Sequence, residues 1–129
     1  MKVKVKTKVS LNHKLIDEME HGAKRRALEK TAEWVLSEII ASAKVPKDTG
    51  ELERSGFVRI ISDTLAKVIF DTPYARRWYY NADGVTFSTD KNINAQDHWM
   101  DDFIHGERTH EIIEKFAEFY KEELGRVFS

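Results

Sequence analysis

Cysteine is absent from this chain, so neither a disulfide framework nor a thiolate metal site is available and the fold must hold by packing alone. That suits a reducing cytoplasm. Only six glycines and two prolines occur, and the glycines are scattered, so no Gly-rich loop of the phosphate-cradling kind exists. Long apolar runs are also missing: nothing approaches the ~20 residues of a membrane span. Met1 to Ser10 carries lysine at every even position from Lys2 to Lys8 and lacks the apolar core of a signal peptide, so secretion and membrane insertion are both disfavoured. Neither sign of charge dominates. Twenty-one Lys plus Arg against 22 Asp plus Glu leave a formal charge of -1, which removes the global attraction on which non-specific nucleic-acid binders rely.

What is present suffices for one ordinary domain. A chain of 129 residues, 41% hydrophobic and 33% charged, buries enough apolar surface in a single core to stand alone and has too many apolar residues for wholesale disorder. The alternation of Val3, Val5, Thr7 and Val9 with lysines has the period of a half-buried strand, in which the lysines protect an edge. Asn12 then caps an expected helix to Ala43, with Leu15, Ile16, Met19, Ala23, Ala27, Leu28, Thr31, Trp34, Val35, Ile39 and Ile40 inward and a bend or break near Gly22. Pro46 and Asp48-Thr49-Gly50 turn the chain. Phe57 to Ser62 and Leu65 to Phe70, joined by a short polar link, predict an antiparallel hairpin.

Beyond the hairpin, Tyr74, Trp78 and Tyr79 share a helical spacing, and a short helical turn is expected after Pro73. Asn81 to Gly84 signals a turn, Val85 to Ser88 a further short strand, and residues 81 to 96 as a whole a flexible polar loop. A final helical region starts near Ala95 or Asp97 with Trp99, Met100, Phe103 and Ile104 inward, breaks at Gly106 and resumes through Ile112, Ile113, Phe116, Phe119, Tyr120 and Leu124. Segregated helices and strands predict an α+β fold: a long N-terminal helix and a C-terminal helical region packed on a small antiparallel β-sheet.

Two clusters carry candidate chemistry. Asp97, His98, Asp101, Asp102 and His105, with His110 beyond them, supply residue types that ligate divalent metals, and on one helix four of them share a face; a small metal-dependent hydrolase or nuclease is the alternative this raises. Their spacing matches no established zinc signature, and a structural or solvated role is the preferred reading. Arg76 and Arg77 amid Tyr74, Trp78, Tyr79 and Tyr80 have the composition of a protein-interface anchor, of a platform stacking on single-stranded nucleic acid, or of plain core packing over the hairpin. Ser55 lies beside Gly56 but outside any nucleophile elbow. Protein contact is the preferred reading, since no basic stripe accompanies the two arginines.

The segments Asp48-Thr49-Gly50-x-Leu52-x-x-Ser55 and Pro73-Tyr74-Ala75, separated by two strands and flanked by helices, resemble the minor capsid and head-tail joining (tail-completion) proteins of tailed bacteriophages. The likeness covers roughly residues 15 to 127. It implies a non-enzymatic virion component, made in the bacterial host cytoplasm and assembled as a ring at the junction of head and tail. Its partners would be copies of itself and other neck, portal-adaptor or tail proteins, with DNA passing nearby. No cofactor, small-molecule substrate or membrane enters that picture. The lysine-alternating N-terminus and the segment from Asp97 to His110 depart from the family's shorter members, leaving minor capsid, connector and tail terminator unseparated.

Overall fold

A computed structural model describes the backbone of residues 2–128 and the side chains of residues 15–128. Its elements run α1 (Lys2–Ala41), α2 (Glu51–Arg54), β1 (Gly56–Ile60), β2 (Ala66–Phe70), α3 (Ala75–Tyr80), α4 (Asp101–Ile104) and α5 (Thr109–Phe128). The architecture is α+β: a long N-terminal helix and a C-terminal helix with a two-stranded antiparallel sheet. Gly56 faces Phe70 and Ile60 faces Ala66, so the hairpin closes through residues 61–65 as the sequence predicts.

The expected strand at residues 1–10 is not formed. Helix α1 takes up the chain from Lys2, because a helix satisfies its own N–H and C=O groups whereas a strand needs a neighbouring edge. The side chains of that segment lie outside the described residues. Helix also continues through Gly22, where the sequence predicts a bend or break, so no break occurs there. Ala23, Ala27, Thr31, Val35 and Ile39 are buried as the period requires, while Leu15 and Ile16 are exposed. Antiparallel to α1 lies α5, and their pairing is marked by Arg26 Nε with Glu123 at 2.9 Å and Lys30 Nζ with Glu123 at 2.7 Å.

The core joins both helices to the sheet. Val35, Ile39, Val45, Leu52, Ala75, Tyr79, Trp99 and Phe103 are buried together, with Trp34, Val68, Phe70 and Ile112 packed against them. Edge-to-face ring pairs set the angles, Phe70 on Trp99 at 5.8 Å and Trp34 on Phe103 at 5.9 Å. At ~1.5–3 kcal/mol for each large apolar side chain taken from water, this cluster is the main source of stability.

Helix α1 ends with Ala43 in the left-handed region, φ 58°, a position usually filled by glycine. The polar segment from Asn81 to Met100 then folds back onto that exit. Asn92 Nδ2 donates to the Val45 carbonyl at 2.7 Å, the Gln96 N–H to the Lys44 carbonyl at 2.9 Å, and the Asn94 side chain to the Ser42 carbonyl at 3.0 Å. Residues 81–96 contain no helix or strand, so the short strand expected at Val85 to Ser88 is not there, and the sheet stops at two strands.

Candidate functional site

The two segments that carry the resemblance meet in space. Gly50 sits at φ 83°, where an added Cβ would fall 2.6 Å from Arg54 Nη1, so this turn requires glycine. The turn launches α2, which buries Leu52 in the core and brings Glu51 to the hydroxyl of Tyr74. The Tyr74 hydroxyl donates to Glu51 Oε2 at 3.0 Å. Ser55 Oγ donates to the Leu52 carbonyl at 2.6 Å and accepts the Asp71 N–H at 3.2 Å, a clasp between the end of α2 and the end of β2. With both of these bonds made to backbone groups, Ser55 is held as a structural link. Desolvation, and then the Glu51 carboxylate, raise the Tyr74 hydroxyl above the usual phenol pKa.

Pro73 starts the corner into α3, whose Ala75 packs into the core. One turn of helix divides the aromatic run into faces. Tyr80 is 61% exposed, and Arg76 and Arg77 are exposed beside it. Arg76 lies over the Tyr80 ring at 6.0 Å, and Arg77 Nε donates to Asp83 at 2.8 Å. Tyr74 and Trp78 are half-buried, 4.3 Å apart between ring centroids, and Phe87 lies 6.0 Å from Trp78.

Tyr79 departs from the expected interface set. Only 8% exposed, it packs edge-on to Trp99 at 4.9 Å, and its hydroxyl donates to Asp101 Oδ1 at 2.6 Å. Burial, followed by the Asp101 carboxylate, pushes its pKa far up. The reason is register: Ala75 and Tyr79 are four apart and face the core together, which turns Arg76, Arg77 and Tyr80 outward.

The acidic and histidine-bearing run does not share a helical face. Helix α4 begins only at Asp101, and His98 before it adopts φ 47°, which rotates its ring away from the α4 register. Each carboxylate has its own partner. Asp97 accepts from the Asn81 amide at 3.1 Å and lies 3.1 Å from His98 Nδ1, contacts that hold its pKa below the usual carboxylate range, His98 contributing most. Asp101 accepts from Tyr79, and Asp102 is paired with Lys44. His105 and His110 are exposed. Among the described residues no group of three His, Cys, Asp or Glu side chains is arranged to hold a metal ion.

Two residues the sequence did not single out complete the surroundings. Asn92 is buried between the Val45 carbonyl and Glu53, and Lys44 anchors Asp102; an asparagine inside a polar loop and a lysine after a helix carry no local signal of such long-range partners. No protein-family model matches the chain, and no curated protein or solved structure matches it. Among the described residues no helix is long and apolar enough to cross a membrane.

Proposed function

We propose that this chain is a non-enzymatic structural protein of a tailed-bacteriophage virion, assembling as a ring at the head-tail junction as a minor capsid, connector or tail-completion component. One observation carries the reading. The two motif segments of the resemblance, far apart in sequence, are clasped together by Tyr74 to Glu51 and by Ser55 to the Asp71 N–H. In that arrangement the motifs build one corner of the domain, which accounts for their occurring as a pair. The exposed Arg76, Arg77 and Tyr80, and the half-buried Tyr74 and Trp78, are the side chains proposed to meet neighbouring copies or adjacent neck, portal-adaptor and tail proteins. Aromatic and arginine side chains are the usual anchors of protein interfaces. A ring further requires a head-to-tail contact whose rotation closes.

Electron microscopy of virions, with the protein tagged, tests the location: density at the neck is the expected result. Infection with a Trp78→Ala phage tests the surface. Full heads and tails that fail to join, with the purified variant retaining its fold by circular dichroism, are expected; normal infectious particles would remove Trp78 from the interface, and label elsewhere than the neck would overturn the assignment.

A further inference from the structure

We propose that the outer face of the β1–β2 hairpin is a docking surface for the exposed, carboxylate-rich side of α5 from a second copy of this chain. The inference stands on these two surfaces and holds whether or not the chain works at a phage neck. One face of the hairpin packs on α1. A Cβ added at Gly56 would fall 2.9 Å from Leu36 Cδ1 of that helix, and Val68 and Phe70, on the same face as Gly56, pack against the core. The period of two therefore turns Phe57, Arg59, Ile61, Leu65, Lys67 and Ile69 the other way. The Ile61 N–H donates to the Leu65 carbonyl at 2.9 Å and extends the ladder by one pair.

The uncovered face of an antiparallel sheet is usually polar. Here Phe57, Ile61, Leu65 and Ile69 are apolar, with Ile61 48% and Leu65 45% exposed, and the other two residues carry the same charge. Arg59 and Lys67 stand directly opposite each other across the strands, a pairing that like charges disfavour. Arg59 lies over the Phe57 ring at 5.7 Å, which sets its guanidinium on the outer side. Among the described residues neither cation has an ion pair. Asp63 at the hairpin tip is taken by His21 at 2.6 Å, and Asp71 past the end of β2 is paired with neither.

The complementary surface is on α5. Glu123 turns toward α1, and the exposed side of the helix carries Ile113 at 72%, Ala117 and a row of carboxylates, Glu114, Glu118 and Glu122, with Lys121 among them. Carboxylates four residues apart on a helix repel one another. Lys115 gives Glu118 a partner at 3.4 Å, whereas among the described residues Glu114 and Glu122 have none. Each surface thus holds like charges that its own fold leaves unrelieved, opposite in sign between the two, beside exposed aliphatic side chains. Hairpin against hairpin would set Arg59 and Lys67 against their own copies. The contact is therefore between two different surfaces, the head-to-tail kind.

Sedimentation equilibrium of the purified full chain tests the proposal. Self-association with a dissociation constant on the order of 1 mM or tighter is expected at low salt, weakening as salt screens the charges. Arg59→Glu with Lys67→Glu, and separately Glu114→Lys with Glu118→Lys, should each weaken it at least about tenfold with the fold retained by circular dichroism. Mixing the two variants puts acid against base again and should restore association to within about threefold of the parent. Should the hairpin double variant misfold, Lys67→Glu alone reads out the same loss. That variant gains a cross-strand partner in Arg59, so its thermal midpoint should match or exceed the parent's while association weakens. A parent that stays monomeric at about 1 mM, association indifferent to either reversal, or no recovery in the mixture overturns the contact. None of these results bears on where tagged protein lies in the virion.

Discussion

The Tyr79 hydroxyl donates to Asp101 Oδ1 at 2.6 Å across 22 residues of chain, joining α3 to the start of α4 within the core. Removing that hydroxyl in Tyr79→Phe leaves a half-buried carboxylate without its donor. A loss of about 2 kcal/mol in urea unfolding is expected, the scale of a hydrogen bond to a charged group. Under the proposed function the same variant, whose ring faces inward, should still join heads to tails, in contrast to Trp78→Ala.

Gly50→Ala should destabilise the protein by about 1–2 kcal/mol, the cost of left-handed backbone for a residue with a Cβ. Displacement of Arg54 adds to it, because the new Cβ would meet Nη1 at 2.6 Å. Equilibrium denaturation measures the loss, and an unchanged midpoint would mean the turn relaxes to another conformation.

The opposite substitution is expected to help at the end of α1. Ala43 holds φ 58°. Ala43→Gly should raise stability by up to about 1.5 kcal/mol, being ~1–2 of relieved left-handed strain less ~0.5–1 for the extra freedom of glycine in the unfolded chain. Thermal and urea midpoints should both rise.

Glu123 gives a pH signature. Hydrogen bonds from Lys30 and then Arg26 hold its carboxyl down to about 2, against an ordinary value of 4.5. A folded pKa below the unfolded one means that its stabilisation is fully present above about 4.5 and is lost as pH falls toward 2. The thermal midpoint of Glu123→Gln should therefore lie below that of the parent at pH 7, by roughly 5 °C or more for a buried ion-pair partner. The gap should narrow across that acid window, and a constant gap from pH 7 to pH 2 would show that the carboxylate's charge contributes nothing.

Much of this fold was legible wherever the signal was both local and periodic. Ile112, Phe116, Phe119 and Tyr120 mark α5, the alternating residues on either side of Ser62-Asp63-Thr64 mark the hairpin, and Gly106 marks the break before Thr109. The lysine-valine alternation at the N-terminus misled because period two describes a strand only where another strand is available, and the sheet stops at two. Within the candidate site, the turn at Gly50 and the corner at Pro73 were readable from residue type. Which aromatic of α3 turns inward was not, since Trp99 and Asp101 lie about twenty residues downstream and decide it. The acidic run failed as a ligand set for a similar reason: its spacing presumed helix from Asp97, and the positive φ of His98 postpones that helix to Asp101.

The strap laid by Asn92, Asn94 and Gln96 over the carbonyls of residues 42–45 bears on the order of folding. Those carbonyls remain hydrated until chain some fifty residues later arrives, and closing a loop of 52 residues has a length-dependent entropy of about 3.5 kcal/mol. A nascent chain released before residue 96 would thus emerge with the first helix unsealed at its exit. The hairpin and α3 both lie inside that loop.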